Sequence, residues 1–256
     1  MSIEYAQKGL IGVFTPQANT TVEPEMAVLT PPGYAWINAR MTSGCVTINE
    51  RLLDYMQQFP AAVRQFANAP FDALAIACTG SSYLIGRDRE AAMLAEIQAM
   101  TGKPAMTGAS ASVDALRQLG AKRIGLVSPY KSDLDAESAS FWRSCGFDVV
   151  AEISAYRESG AFHPIYSLPG AAAEAALREI DGAGLDAVLM LGTGMPTLGP
   201  IAHVPYVGRA PVLSCMLCLV WRAVAHCDPA VASSAALIAW VEGRHWKPMP
   251  AQRLGA

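Results

Sequence analysis

The chain repeats one pattern in its two halves, and this repeat limits the fold more than any other feature of the sequence. Residues 71–84 (FDALAIACTGSSYL) read in register with residues 185–198 (LDAVLMLGTGMPTL), and Asp, Ala, Thr, Gly and Leu recur at matching places. A second pair, IGVFTP at 11–16 and IGLVSP at 124–129, keeps the same order and nearly the same spacing. Two matches in one order indicate an internally duplicated protein of two lobes.

Each copy of the longer repeat is an apolar run that ends in a polar, glycine-containing turn. Such a run is typical of a buried parallel strand, and the turn then follows the carboxyl end of that strand. Ligands of open α/β sheets bind at this end. A pseudo-two-fold relation between the halves would bring both turns to one cleft, with Cys78 on one wall and Gly192 at the matching place on the other.

Predicted strands alternate with predicted helices along the whole chain. The strands fall at residues 9–15, 34–41, 103–107, 123–127, 147–153 and 211–214, and in the two runs that lead to Cys78 and Gly192. One predicted helix begins at Val22 and another ends near Gly120. The others cover residues 51–68, 87–100, 131–145, 171–180 and 216–226. This order predicts an α/β fold with right-handed connections and mostly parallel sheets. Crossings near Gly108 and Ser214 would make residues 1–108 plus 215–256 the first lobe and 109–214 the second.

Composition excludes several classes of protein. Of the 256 residues 52% are hydrophobic and 16% are charged, which predicts a sizeable core. The net charge of −3, without a basic run, argues against a nucleic-acid partner. No apolar stretch approaches a membrane span, and residues 1–8 do not form a signal peptide. We therefore expect a cytoplasmic protein with mostly reduced cysteines and no membrane partner.

Cys78 is the candidate nucleophile. A free cysteine is usually a small buried apolar residue, but this one ends a predicted strand and precedes a tight turn, Thr79-Gly80-Ser81-Ser82. Backbone N–H groups in such a turn lower the pKa of a thiol and also bind carboxylate oxygens. The turns Thr79-Gly80 and Thr193-Gly194 form a matched pair. They are either ordinary turn chemistry or two facing sets of N–H groups, each holding one carboxylate, and the repetition favours the second interpretation.

Two further candidates lie in the loops that follow the shorter repeat. Asn19 precedes two threonines, so it is either a helix cap or a residue that orients a substrate carboxylate. Tyr130 follows Pro129 and is either a packed aromatic ring or a donor to a developing negative charge. We also place His163 and Tyr166 in a loop over the cleft.

Metal and nucleotide motifs are missing from the sequence. Cys215 and Cys218 form a lone CxxC pair, and the four histidines have no ligand spacing, so structural burial is expected for this pair. Neither a GxGxxG motif after the first strand nor a GxxxxGK[ST] motif occurs. We expect no metal and no cofactor.

These residues together resemble the aspartate/glutamate racemase superfamily, and more narrowly its maleate cis-trans isomerase and arylmalonate decarboxylase branch, over residues 9–224. The segment ANTTVE at 18–23 is similar to the isomerase loop with a substrate-binding asparagine, and Cys78-Thr79 falls at the nucleophilic cysteine. Ser128-Pro129-Tyr130 matches a binding tyrosine, and Met195-Pro196 follows the strand that normally carries a second cysteine. The resemblance implies two Rossmann-like lobes, no cofactor, and a small carboxylate between two cysteines.

Gly192 departs from this pattern, because it stands at the position of the second cysteine. Arylmalonate decarboxylases depart the other way, with glycine first and cysteine second. A single thiol cannot remove a proton from one face of a carbon and deliver one to the other, which disfavours an amino-acid racemase. Cis-trans isomerisation needs only one thiol, because the same thiolate adds to the double bond and is expelled after rotation. Decarboxylation also needs only one thiol, which protonates the carbon after CO₂ has left.

We therefore predict a cofactor-independent cis-trans isomerase of a small, maleate-like unsaturated dicarboxylate, acting through a Cys78 thiolate adduct. An arylmalonate-type decarboxylase with one cysteine as proton donor, or a carboxylate-binding protein without activity, is the alternative. The residues predicted to bind substrate are Asn19, Thr79, Gly80, Tyr130, Gly192, Thr193 and Gly194. Gly192 should face Cys78 across a gap that admits a small diacid, and a cysteine should fit at position 192. A homo-oligomer is possible, and the exact substrate stays open.

Overall fold

Two separate parallel sheets form the framework of the computed structural model, which describes residues 3–158 and 164–246. The first sheet has the strand order β2-β1-β3-β4, and all its neighbours are parallel. Its strands are β1 (Gly9–Pro16), β2 (Tyr34–Met41), β3 (Ala73–Ile76) and β4 (Ala105–Thr107). β1 and β3 lie in the middle of the sheet and are buried along their whole length, as their continuous apolar sequences predict.

The second sheet repeats this arrangement and adds one short strand. Its strands are β5 (Arg123–Ser128), β6 (Asp148–Ser154), β7 (Ala187–Met190), β8 (Tyr206–Val207) and β9 (Ala210–Ser214). They lie in the order β6-β5-β7-β9-β8. The β8-β9 pair is antiparallel, and every other strand pair in the described part of the chain is parallel. The predicted α/β fold with two mostly parallel sheets is confirmed.

Ten α-helices in the described ranges connect and cover these sheets. They are α1 (Val22–Leu29), α2 (Ile48–Ala62), α3 (Gly80–Ile85), α4 (Arg87–Thr101), α5 (Gly108–Gln118), α6 (Ser132–Ser144), α7 (Gly170–Arg178), α8 (Leu198–His203), α9 (Cys215–Cys227) and α10 (Ser234–Val241). No helix in residues 3–158 and 164–246 is long and apolar enough to cross a membrane.

The start of α2 shows how local sequence fixes an element. Thr47 caps this helix, because its hydroxyl accepts from the Glu50 N–H at 3.3 Å while the Glu50 carboxylate accepts from the Thr47 N–H at 3.2 Å. The helix therefore begins at Ile48, three residues before the predicted start. It continues through Pro60, gives way to a 3₁₀ turn at Val63–Phe66, and the chain then reverses at Asn68, whose φ is +70°.

The repeated aspartates of the two halves make equivalent hydrogen bonds. The Asp72 carboxylate accepts from the Leu10 N–H at 2.9 Å, at the start of β1. Asp186, its counterpart, accepts from the N–H groups of Lys122 and Arg123, each at 2.8 Å, at the start of β5. Each repeated aspartate therefore fixes the same neighbouring strand in its own sheet.

The repeated strands also end alike. The Ala77 N–H donates to the Phe14 carbonyl at 2.9 Å, and the Leu191 N–H donates to the Val127 carbonyl at 2.8 Å. These bonds hold the chain in register up to the residue before Cys78 in one sheet and before Gly192 in the other. The two turns therefore leave their sheets at equivalent places.

The two halves meet where α5 and α9 pack against each other. α5 begins directly after β4 and α9 directly after β9, so both connections leave the carboxyl ends of their sheets. Gly108, the first residue of α5, leaves room for both repeated turns, because a Cβ there would lie 2.8 Å from Thr79 Cγ2 and 3.3 Å from Thr193 Cγ2. α9 also packs on β1, β3 and β4 of the first sheet. The division into lobes at these junctions stays a prediction.

Candidate active site

A small cavity at the carboxyl ends of β3 and β7 brings all the predicted site residues together. Its walls include Asn19, Cys78, Thr79, Gly80, Tyr130, Gly192, Thr193 and Gly194. The remaining walls are Pro16, Ile48, Leu52, Leu134, Ile165 and Tyr166. The two repeated turns thus face one space, and Cys78 is the only one of the six cysteines that lines it. The chemical role of each residue stays a prediction.

The cavity is smaller than expected. Its volume of about 40 Å³ gives room for about three water molecules, which is less than a four-carbon diacid needs. The prediction of a gap that admits a small diacid is therefore wrong for the site as it stands. Ile48 and Leu52 of α2, together with Ile165 and Tyr166 of the 3₁₀ turn Pro164–Ser167, fill the space from the outer side. Side chains must move outward before such a ligand can bind.

A larger groove adjoins the cavity. It has a volume of about 370 Å³ and shares four residues with the smaller space, Ile48, Tyr130, Leu134 and Ile165. Lys131 and Tyr156 also line the groove. These four shared side chains therefore form the wall between the groove and the cavity that contains Cys78.

Cys78 sits just beyond the end of β3 and is only 4% exposed. Its sulfur lies 3.2 Å from the Ser81 hydroxyl, and the backbone N–H groups of Ser81 and Gly80 also bond to it. These three bonds lower the pKa of the thiol, but burial raises it by more, so the net shift is upward. The N–H groups of the turn therefore act in the predicted direction, but burial outweighs them, and the sequence did not show the depth of burial. The thiolate role of Cys78 stays a prediction.

Tyr130 occupies the other side of the cavity. Its hydroxyl lies 2.7 Å from the Thr79 hydroxyl, so the loop after β5 bonds to the turn after β3. Burial is the main cause that raises the pKa of Tyr130 well above its usual value, and the thiols of Cys215 and Cys78 add to it. Tyr130 is therefore a neutral hydrogen-bond donor at any physiological pH.

Gly192 has a local reason to be glycine. Its φ is +83°, in the left-handed region, and a Cβ there would lie 3.1 Å from the Tyr130 hydroxyl and 3.2 Å from Pro129 Cγ. The prediction that a cysteine fits at position 192 is therefore wrong. Any side chain would be strained by this φ, and its Cβ would also press against the Tyr130 hydroxyl and Pro129 Cγ.

Asn19 joins the two halves rather than pointing freely into the cavity. Its side-chain oxygen accepts from the N–H groups of Thr21 at 2.8 Å and Val22 at 3.2 Å, so it forms an Asx-turn just before α1, whose N-cap residue is Thr21. Its amide nitrogen donates to the Thr193 carbonyl at 3.2 Å. Thr21 adds a second bond, from its hydroxyl to the Gly194 carbonyl at 2.8 Å. Asn19 therefore has the local turn role of an asparagine before two threonines, and the same side chain still forms part of the cavity wall.

The backbone N–H groups of the two turns have different hydrogen-bond acceptors. The Gly192 N–H bonds to the sulfur of Cys215, a buried thiol whose pKa burial raises to about 11. In the first turn, the Gly80 N–H donates to the Cys78 sulfur. Within residues 3–158 and 164–246, the N–H groups of Thr79, Thr193 and Gly194 have no hydrogen-bond acceptor. Those three donors are the ones that remain for substrate oxygens.

Sequence reasoning missed two charged residues that support the site. The Arg40 guanidinium donates to the Asn19 carbonyl at 3.0 Å and pairs with Glu23 at 2.5 Å, which fixes the loop after β1. Glu25 on α1 is buried and accepts from the N–H of Thr197 at 2.5 Å. Burial raises the pKa of Glu25 to about 7. Neither residue belongs to a recognisable motif, because each acts through contacts with distant segments.

Tyr166 was placed over the cleft by prediction, and its ring packs against the second turn. A Cβ on Gly194 would lie 2.5 Å from that ring, so glycine is required for the contact. Burial raises the pKa of Tyr166, and the Cys78 thiol nearby adds to this. His163 lies outside the described residues. Cys215 and Cys218 are fully buried in α9, as predicted. The described residues contain no group of three or more His, Cys, Asp or Glu that could hold a metal ion.

The fold and the site define a class: duplicated α/β proteins with two parallel sheets and a single-cysteine cavity between the ends of their strands. The chain belongs to the arylmalonate decarboxylase family, whose model matches residues 11–238. It is 27% identical over 230 residues to a maleate isomerase of Geobacillus stearothermophilus, covering 83% of this chain and 89% of that protein. It is 29% identical over 218 residues to a maleate isomerase of Nocardia farcinica (strain IFM 10152), covering 80% and 84%.

A solved structure shows the same fold. It is a Nocardia farcinica maleate cis-trans isomerase variant, with one cysteine replaced by serine, that carries a covalently bound succinylcysteine intermediate. The TM-score is 0.76 at 24% identity, and the match covers 90% of this chain and 98% of that one.

Proposed function

We propose that this protein is a cofactor-independent cis-trans isomerase of a small unsaturated dicarboxylate, with Cys78 as the nucleophile and maleate as the first compound to test. One observation carries the proposal: a single thiol at the end of β3 shares a cavity with backbone and hydroxyl donors from both repeats. The relatives that are named maleate isomerases support it, and so does the succinylcysteine intermediate of the Nocardia farcinica variant, which is a thiol adduct of this kind.

The reaction needs one thiol and no net change in protons. The Cys78 thiolate adds to one alkene carbon, and the π electron pair moves to the neighbouring carbon and its carboxylate as an enediolate. Rotation then takes place about the new C–C single bond. The electron pair returns to reform the double bond, the C–S bond breaks, and the trans diacid leaves with the thiolate restored.

The donors of the cavity are suited to the enediolate. The free N–H groups of Thr79, Thr193 and Gly194 face carboxylate oxygens in this proposal, and the neutral Tyr130 hydroxyl supplies one more bond. Fixed donors stabilise charge that develops during the reaction, because they need no reorientation at that moment. The raised pKa of Cys78 makes formation of the thiolate part of the barrier, at about 1.4 kcal/mol for each pKa unit above the working pH.

Decarboxylation of an arylmalonate is the second candidate, and the protonation state of Cys78 favours it. A raised pKa keeps this residue a neutral thiol, which is the form that a proton donor needs. Loss of CO₂ from a malonate leaves an enediolate, and the Cys78 S–H would deliver its proton to that carbon. The family model that matches the chain carries the name of this activity.

A substrate panel separates the two candidates. The protein is incubated with maleate, fumarate, phenylmalonate and aspartate, and products are followed by proton NMR. Conversion of maleate to fumarate supports the isomerase. Conversion of phenylmalonate to phenylacetate, with maleate unchanged, would replace it by the decarboxylase. A protein that binds these acids and converts none would be a carboxylate-binding protein. A reducing compartment such as the cytoplasm suits an enzyme that depends on a free thiol.

A further inference from the structure

A chain of two hydrogen bonds runs from the Cys78 thiol to helix α2. The Cys78 sulfur lies 3.2 Å from the Ser81 hydroxyl, and that hydroxyl donates to the Leu52 carbonyl at 2.8 Å. Ser81 is completely buried in the first turn of α3, so water does not compete for these bonds. Leu52 is also a wall of the cavity.

The number of hydrogens links the two bonds of this chain. A serine hydroxyl has one hydrogen and the Leu52 carbonyl can only accept, whereas either atom of the Cys78–Ser81 contact can donate. When the Ser81 O–H donates to Leu52, the other bond must run from the Cys78 S–H to the Ser81 oxygen. This arrangement fits the neutral thiol and not the thiolate, which has no hydrogen to give.

Formation of the thiolate reverses the first bond. Once the thiol proton has left, the Ser81 O–H can turn from the Leu52 carbonyl to the negative sulfur, and a hydrogen bond to a charged acceptor is the stronger one. The Leu52 carbonyl is not left unpaired, because it lies inside α2 and accepts from the N–H four residues later in the helix. The change needs one rotation about the Ser81 Cβ–Oγ bond and breaks no covalent bond.

We propose that Ser81 is a positioning residue for the Cys78 nucleophile, accepting from the thiol at rest and donating to the thiolate during reaction. The inference rests on the proposed function in that Cys78 is taken as the reacting thiol. The Ser81 hydroxyl is also the largest of the influences that lower the pKa of Cys78.

The other titratable groups near Cys78 do not confuse a titration of this thiol. Three tyrosines from different elements interact with Cys78, and burial is the main cause that raises the pKa of each: Tyr55 from α2, Tyr130 from the loop after β5 and Tyr166 from the 3₁₀ turn. The pKa of Tyr55 rises to about 12. Arg40 and Arg51 act on Tyr166, and Arg51 also acts on Tyr55. Because the pKa of each of the three tyrosines is raised, all three stay neutral from pH 6 to about pH 10.

The test measures alkylation of Cys78 by iodoacetamide as a function of pH, without any substrate, with the Cys78 peptide followed by mass spectrometry. Ser81→Ala should shift the profile upward by about one pH unit, so that alkylation at pH 8 slows about tenfold. Ser82→Ala is the matched control, because Ser82 is an adjacent buried serine outside the cavity walls, and it should keep the wild-type profile. Ser81→Thr retains the hydroxyl and should also keep it.

An unchanged profile in Ser81→Ala overturns the inference, and so does an equal shift in Ser82→Ala, which would mean that packing of α3 sets the pKa. If Ser81→Ala does not fold, an infrared measurement on the wild-type protein tests the inference instead. The S–H stretch of Cys78, isolated by subtracting the infrared spectrum of Cys78→Ala, should have the lowered frequency of a hydrogen-bonded thiol, and the frequency of a free thiol would contradict the inference. Because no substrate is used, a protein that fails to isomerise maleate can still show the shift in Ser81→Ala.

Discussion

Asn19 and Thr193 are 174 positions apart in the chain, yet the Asn19 amide donates to the Thr193 carbonyl at 3.2 Å. The relation has a counterpart with the repeats exchanged, because Tyr130 of the second repeat bonds to Thr79 of the first at 2.7 Å. Each loop of one repeat thus bonds to the turn of the other. The cavity around Cys78 exists only when both halves are in place.

Asn19→Ala should therefore loosen the junction between the repeats. The substitution leaves the N–H groups of Thr21 and Val22 without their acceptor and removes the bond to Thr193. Buried groups left unpaired cost about 1 to 3 kcal/mol, so the free energy of unfolding in urea should fall by that amount. Asn38→Ala is the control, since Asn38 bonds to Glu23 at the surface and should have little effect. Equal losses in the two variants would contradict the role of Asn19.

Substitution of Gly192 should be costly for two separable reasons. Gly192 and Gly102 both have a positive φ, +83° and +67°, but a Cβ at Gly102 meets nothing within 4 Å, whereas one at Gly192 meets the Tyr130 hydroxyl at 3.1 Å. Gly102→Ala, at the left-handed residue that ends α4, should cost about 1 to 2 kcal/mol from backbone strain, and Gly192→Ala should cost clearly more. Chemical denaturation measures both. If the two variants lose the same free energy, Tyr130 does not fill the place of the second side chain.

Cys78 and Gly192 show what the sequence could and could not predict. The repeat placed Cys78 and Gly192 at equivalent strand ends, because apolar runs and glycine turns are local signals. It did not reveal that the Tyr130 hydroxyl stands beside Gly192, since that contact depends on how two loops from different strands meet. The sequence also did not predict the extents of the short helices α3, α8 and α10, because six or eight residues show too little hydrophobic periodicity.

Glu25 should make the protein less stable as pH rises. Its pKa is about 7 in the folded protein against an ordinary value of 4.5, so between these values the unfolded chain holds fewer protons at this residue than the folded one. Stability from this residue is therefore fully present below pH 4.5 and is lost as pH rises through 7, by about 3 kcal/mol in total.

Urea unfolding of wild type and Glu25→Gln at pH 5, 6, 7 and 8 measures this loss. The glutamine variant should lack this part of the pH dependence, while Glu96→Gln, at an exposed position on α4, should follow wild type. Glu90 is also buried with a raised pKa, so the difference between wild type and variant isolates Glu25. Parallel curves for wild type and Glu25→Gln would show that Glu25 ionises normally in the folded protein.

The wild-type protein should not racemise aspartate or glutamate. Racemisation needs an acid or base on each face of the α-carbon, and Gly192 supplies none opposite Cys78. Starting from the L enantiomer of either amino acid, no D enantiomer should appear, as read by chiral chromatography. Racemisation at about 1 per second, a rate typical of enzymes, would mean that another residue takes the role of the second thiol.

Addition of the Cys78 thiolate to the alkene is the central step of the proposed reaction, and the rate of fumarate formation from maleate tests it most directly. Wild type and Cys45→Ala should form fumarate at similar rates, because Cys45 lies outside the cavity walls. Cys78→Ala should form none above the uncatalysed rate while keeping the circular dichroism spectrum of the folded protein. Fumarate formation by Cys78→Ala at the wild-type rate would contradict the mechanism.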